Sequence, residues 1–307
     1  MIKKAQFTGY WTTLLIVILV NAFFAPSARC EEKITSFCMS AQSELCNELI
    51  NGASQSFRDD GRFLTQDIGF LKQMAAPKNI DLSLLKSKED AINAGKILNL
   101  NAILMFSIGF SAQKDFPLHL EGEIIPITSK IIIPRRIIGV IVNDNPDYLK
   151  HFGYCIALLA IQKKVMLSAD LPDSAPKSVK DLRDRYFKWR RGEAVPRVFT
   201  VFHIDASGKI DFVHHAGSYE SKLVEYVFKR IKKDQIWEPA RRERERQHVY
   251  GFLETSFKAI SEAEMKLRKE AREKAAQDRK EKNINEKGLP STWLDADGHV
   301  TGLLIVK

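Results

Sequence analysis

Residues 196–257 constrain the fold most, because their hydrophobic period changes from that of strands to that of a helix and back. Val198-Phe-Thr-Val-Phe-His-Ile204 is a β-branched and aromatic run. The chain then breaks at Asp205-Ala-Ser-Gly208 and resumes as Lys209-Ile-Asp-Phe-Val-His-His215. Asp and Gly at the break supply an Asx-type turn and a left-handed position, so the two arms read as a β-hairpin. From Ser221 to about Asp234, Leu223, Val227 and Ile231 recur at helical spacing. Val224 and Phe228 stand beside them, opposite a Lys/Glu/Arg face. Trp237-Glu-Pro-Ala240 ends that helix, since the residue before a proline is pushed out of the α region. A third strand, Gln247 to Phe257, carries Val249, Phe252 and Phe257 among polar positions. Strand, strand, helix, strand gives a sheet with one face covered by the helix and at least one edge open.

The punctuation of this stretch resembles the C-terminal domain of the TonB family. The matching residues are Ile204-Asp205-Ala-Ser-Gly208-Lys-Ile210, Gly217-Ser218, Trp237-Glu-Pro-Ala240 and Val249-Tyr-Gly-Phe-Leu-Glu-Thr-Ser-Phe257, with Tyr186-Phe187 and Arg190-Arg191-Gly192 ahead of them. The resemblance covers about 186–257. It implies a module that accepts an extended peptide from an envelope or outer-membrane protein by strand addition to its last strand, where backbone hydrogen bonds give affinity and alternate side chains give selectivity. The partner-binding residues it implies are Gln247, Val249, Tyr250, Phe252, Glu254 and Phe257. The competing expectation is an edge covered by the chain's own tail. One departure bears on the transducing role: TonB-type proteins carry a long proline-rich spacer, and here Asp170-Leu-Pro-Asp-Ser-Ala-Pro176 is a short linker.

Met1-Ile-Lys-Lys4, the uncharged run Phe7–Ala28 with Leu14-Leu-Ile-Val-Ile-Leu-Val20 at its centre, and the small residues near Ala25-Pro-Ser-Ala28 read as an export signal. The same run is long enough to anchor the chain in the inner membrane, since about 20 apolar residues span a bilayer. Either way the body of the protein is expected in the periplasm. The net charge of +9 is spread along the chain, densest at Arg241, Arg242 and Arg244. Nucleic-acid binding needs a basic face interleaved with aromatics, and none is visible; a solvated face or an anionic membrane surface is the default. Cys30, Cys38, Cys46 and Cys155 are even in number, as disulfides in an exported chain require. Cys38 and Cys46 cannot pair within one straight helix, but a helical hairpin, or pairing with Cys30, remains open, as do free buried thiols. Their spacing matches no metal signature.

The expected fold class is α+β with two small domains. Residues 30–76 read as an amphipathic helical segment with a break at Asn51-Gly52. Residues 77–169 form an α+β domain of unknown type. It has a helix capped at Ser87, a buried strand at 101–110, strands at 118–127 and 131–142, and an apolar stretch at 153–167 that fits strand or buried helix. Residues 170–185 are a linker and lead-in to the module at 186–257. A charged helix is expected over 258–287, with Glu262→Lys266, Glu264→Arg268 and Glu270→Lys274 in the stabilising order. The tail 288–307 reads as a terminal β-hairpin, because Leu294-Asp-Ala-Asp-Gly-His-Val300 repeats Ile204-Asp-Ala-Ser-Gly-Lys-Ile210. A calcium loop at Asp295 and Asp297 lacks the further acids it needs.

No catalytic motif occurs. His203, His214 and His215 lie on hairpin arms, where successive side chains point to opposite faces. If Ile204 pairs with Lys209, Phe199 faces His214 and His203 faces Ile210. Ser218 reads as a helix cap. No catalytic, cofactor or metal residue is therefore expected. The reading is a non-enzymatic envelope protein that binds a partner by strand addition, with a link to envelope transport. The alternative is a structural subunit assembling into homo-oligomers through the charged helix and terminal hairpin. An enzyme in residues 77–167 is the third reading, with no constellation to support it. Sequencing the mature N-terminus after fractionation is expected to find a start near Ala28 or Arg29 in the soluble periplasm. An intact start in the inner membrane would instead establish the anchored form.

Overall fold

The computed structural model describes residues 32–39, 43–66, 68–80, 82, 87–110, 116–142, 144–168, 170–178, 186–188, 197–217, 219, 221–233, 237–256, 258–260, scattered positions in 263–274, and 300–307. The segment 7–28, Cys30 and Phe257 lie outside these residues. No described helix is long and apolar enough to cross a membrane.

The fold is α+β, built on one large mixed sheet. In chain order its strands are β1 (Glu32–Cys38), β2 (Phe63–Thr65), β3 (Ala102–Phe110), β4 (Leu118–Pro126), β5 (Arg135–Ile141), β6 (Arg197–Ile204), β7 (Ile210–Ala216), β8 (Val249–Ser256) and β9 (Gly302–Val306). Across the sheet the order is β2-β1-β3-β4-β5-β9-β8-β6-β7. β1 runs parallel to β2 and β3, and the other pairs are antiparallel. The helices are α1 (Ser43–Asp60), α2 (Ile68–Ala75), α3 (Lys88–Ile97), α4 (Pro146–Ile161) and α5 (Ser221–Lys233), with a 3-10 turn at Ala76–Lys78. α1 and α4 cover one face of the sheet. On the other face α2 and α3 cover the β1–β3–β4 end, and α5 covers the β6–β8 end.

Residues 30–76 are not helical throughout. Ile34 and Phe37, three apart, look like a helical stripe, but they are strand residues facing opposite sides: Ile34 joins the α1/α4 core and Phe37 the α2/α3 core. A strand buried on both faces loses its period-2 signature. The Cys38–Cys46 disulfide, with Cα atoms 5.7 Å apart, ties the end of β1 to the first turns of α1. It bridges a strand-to-helix turn, a connection the helical reading of 30–76 did not contain. Cys155 is a buried free thiol in α4 whose pKa is pushed up by burial, which makes it inert.

The break expected at Asn51-Gly52 is absent; α1 runs through it. Gly52 is required there by a neighbour. A Cβ at Gly52 would collide with the Lys150 carbonyl oxygen of α4 and stand 2.9 Å from Tyr154 N, while a Cβ at Gly153 would lie 2.8 Å from Leu49 Cα. The two helices therefore meet backbone to backbone. Beneath α4 the sheet is hollowed in the same way: a Cβ at Gly139 would meet Phe152 Cζ at 2.7 Å, and one at Gly122 would meet Ile156 Cγ2 at 2.5 Å. Of the stretch 153–167, open between strand and helix by pattern, 153–161 is the second half of α4 and 162–167 is irregular. Asn145 caps its start by accepting from Asp147 N at 2.9 Å, with Pro146 in the first turn. At its other end the buried Arg135 guanidinium donates to the carbonyls of Leu159 (3.0 Å), Ala160 and Gln162, a cation on the negative end of the helix dipole. Ser87 forms the expected capping box with Asp90.

The hairpin turn is as expected: Asp205 accepts from Ser207 N at 2.8 Å and Lys209 N at 2.9 Å, and Gly208 has φ +86. Its register differs from the simple one. A bulge between His203 and Ile204 pairs Phe199 with Ala216, Val201 with His214 and His203 with Phe212. In the linker, Lys177–Ser178 pairs with Trp237–Glu238, and Ser174 bridges to Arg241. Lys258–Ile260, expected to open the charged helix, is a strand parallel to Tyr186–Lys188; the described positions in 263–274 are helical. Of the expected terminal hairpin, the first arm lies outside the described residues, and Gly302–Val306 is β9.

Gly153→Val is expected to cost about 1–3 kcal/mol by overpacking, read as a lowered urea midpoint. Gly109→Ala, where an added Cβ meets nothing within 4 Å, serves as the control and should stay within about 0.5 kcal/mol.

Candidate functional site

Strand addition needs a strand edge with unpaired backbone groups. The edge implied by the resemblance is the outer side of β8, and it is filled. Tyr250 pairs with Leu304, Gly251 with Leu303 and Phe252 with Gly302. Beyond the strand pairs, Thr301 N donates to Phe252 O at 2.8 Å and Glu254 N donates to Thr301 Oγ1 at 3.3 Å. The other side of β9 pairs with β5 from Ile137 to Ile141, and is extended by Lys307 N donating to Arg136 O at 2.7 Å. Leu303, Leu304, Ile305 and Val306 are essentially fully buried. At about 1.5–3 kcal/mol per buried aliphatic side chain, their burial is comparable with the whole stability of a typical domain, about 5–15 kcal/mol. β9 is therefore a structural strand, not a loosely held cover.

The residues expected to meet a partner are accordingly dispersed. Val249 faces the α5 core, and Phe252 packs edge-on against Phe152 of α4 with ring centroids 5.3 Å apart. Tyr250 donates no edge contact outward; its hydroxyl accepts from Met166 N at 2.8 Å, and burial raises its pKa. Glu254 turns inward, accepting a hydrogen bond from the Tyr148 hydroxyl and lying 3.6 Å from Arg197 Nε. Burial, with help from the Asp147 charge, raises its pKa above the usual carboxylate range. Gln247 belongs to a separate ribbon in which Glu245–Gln247 pairs with Ala240–Arg242.

Among the histidines, His214 and His215 stay together, their rings stacked 5.4 Å apart, while His203 stands apart from them. His203 is 2% exposed, with Nδ1 2.7 Å from Asp211 and Nε2 3.2 Å from His248 Nδ1. His151 on α4 stacks on Phe199 at 4.1 Å and meets the Tyr219 hydroxyl at 3.1 Å. Burial raises the Tyr219 phenol to about 12. No group of three potential metal ligands occurs among the described residues.

The other edge of the unit β6-β7-α5-β8 is different. β7 ends the sheet order, and no described strand pairs with its outer side. Phe212 packs into the α1/α4 core and His214 lies 6.3 Å from the Tyr154 ring, while Val213 packs on the α5 core. On that α5 side, a groove of about 870 Å³ runs between the end of β7 and α5. Its floor is His215, Tyr219, Val224 and Phe228, with Ser221, Glu225, Lys229 and Lys232 on the rim. The His215 ring is 5.9 Å from that of Phe228 and 6.0 Å from that of Tyr219. Burial first, then the neighbouring His214, lowers the His215 pKa, so the floor is uncharged near neutrality. This edge was not singled out from sequence. The signal for it was present in α5, whose apolar arc of Leu223, Val224, Val227, Phe228 and Ile231 is wider than the stripe one sheet face buries. Leu223, Val227 and Ile231 are buried, and Val224 and Phe228 are left half-buried beside the open strand.

Comparison with family models, curated proteins and solved structures finds no match to this chain.

Burial lowers the pKa values of His151, His214, His215 and His248. The folded protein thus binds fewer protons than the unfolded chain between those lowered values and about 6.5. The stability they contribute is fully present above about pH 7.5, begins to fall near about 6.5, and is lost as pH drops through the lowered folded-state values. Glu254, raised, acts in the opposite sense at lower pH. Urea midpoints are expected to be lower at pH 5.5 than at pH 7.5; equal midpoints would refute this account.

Proposed function

We propose that the chain is an exported, non-enzymatic protein of the cell envelope that binds an extended segment of a partner protein by strand addition. In this reading β6-β7-α5-β8 is a module of TonB C-terminal type in the periplasm, led there by residues 1–29. Residues 77–169 are joined to it through the common sheet. The partner is an envelope or outer-membrane protein, which leaves room for a role in envelope transport.

The observation that carries the reading is β7: a seven-residue strand at the end of the sheet, with no described strand on its outer side and an apolar groove beside it. Unpaired backbone donors and acceptors give an added strand its affinity, and a neighbouring groove gives it side-chain selectivity. The physical cost of removing β9 argues for docking at β7 over docking at β8. Assembly of copies through the terminal hairpin is less favoured for the same reason, since β9 is committed on both sides to its own chain.

Peptides selected on the full-length protein from a random nine-residue display library provide the test. Selected peptides are expected to slow amide hydrogen exchange over residues 210–216 and to leave 249–256 and 302–306 unchanged. Protection of 249–256 with deprotection of 302–306 would move the site to β8. A library that yields no binder would overturn strand addition altogether.

A further inference from the structure

We infer that the segment docking on β7 is acidic, placing a large apolar side chain in the groove floored by Tyr219, Val224 and Phe228 and a carboxylate against Lys229 and Lys232. This inference rests on the strand-addition reading above and adds the chemistry of the partner.

Two independent observations point the same way. The floor is uncharged and apolar: Val224 and Phe228 are one helical turn apart and half-buried, and the two rings that close it, His215 and Tyr219, are held neutral by burial. A strand added beside β7 lies about 4.8 Å from it, so its side chains on the α5 side project along this floor. The rim is cationic. Lys229 and Lys232 line it against the single acid Glu225. Glu225 is already engaged, 2.6 Å from Lys229 and with its pKa lowered by that lysine. Lys232 has no acidic partner among the described residues. The groove therefore offers positive charge at Lys232 that no described acid neutralises. Glu225 acts as an internal competitor for any incoming carboxylate at Lys229.

The probes are three fluorescein-labelled nine-residue peptides of alternating threonine and valine with a central phenylalanine. Two positions from the phenylalanine on either side, so that all three side chains share one face of the strand, stand two glutamates, two glutamines or two lysines. Fluorescence anisotropy with the full chain at low salt is expected to rank them glutamate, glutamine, lysine. Each charge contact at an exposed site should be worth about two- to fivefold in Kd, and the preference should shrink with added salt. Lys232→Glu is expected to weaken the glutamate peptide by about that factor, and Glu225→Gln to strengthen it. Both positions are solvent-facing, so circular dichroism should report an unchanged fold. Equal affinity for the glutamate and glutamine peptides would overturn the acidic specificity and leave strand addition standing. Failure of all three peptides, alongside library peptides that protect 210–216, would overturn the inference alone. Failure of both sets would remove the reading beneath it. Binding to phosphatidylglycerol vesicles that is lost in Lys232→Glu, with no peptide bound, would assign the basic helix to a lipid surface instead.

Discussion

The close approach of α4 to its neighbours is the constraint on which the rest of the structure depends. Helix backbones touch only where side chains are missing, and Gly52 and Gly153 remove them at the crossing of α1 and α4. Gly122 and Gly139 do the same in the sheet below, letting Phe152 and Ile156 sink between strands. α4 is thus buried along almost its whole length, and a buried helix needs its ends satisfied. Asn145 does this at the start, and Arg135 at the end, where water is excluded and the last carbonyls would otherwise be orphaned.

With α4 fixed, the sheet has a centre to close around. β5 and β8 come from parts of the chain far apart in sequence, and each would leave a row of unpaired backbone groups under α4. β9 satisfies both rows at once, its side chains alternating between the α4 side and the α5 side. A single sheet results, with strands drawn from both sides of the 170–185 stretch. The β6-β7-α5-β8 unit therefore has one of its two edges sealed from within.

In the proposed reading, function follows from which edge is left. With β8 sealed, Glu254 and Tyr250, which sequence reasoning aimed outward, are half-buried and buried respectively, each with a raised pKa. The sealing leaves β7 and the flank of α5 as the place where backbone hydrogen bonds, apolar surface and positive charge occur together. The half-buried Val224 and Phe228 make physical sense in that setting, because a helix covering only the end of a sheet keeps part of its apolar arc beyond the last strand.

Much of the local structure was legible in the sequence. The Asp205–Gly208 turn, the period of α5, the capping box at Ser87 and the apolar run of β3 each depend on residues close in the chain, where propensity and capping act directly. The half of α4 beyond Gly153 stayed ambiguous, because a segment buried all round carries no period. β1 was misleading for a related reason: with both faces covered, Ile34 and Phe37 mimic a helical stripe. The candidate site was legible only as a type, a sheet edge in this module. Which edge stays open was decided by tertiary structure, through β9, a strand whose pairing partners lie far away in sequence. Sequence fixes what each segment prefers locally; the pairing of distant backbone groups, and the glycines that let helices meet, are settled only when the whole sheet closes.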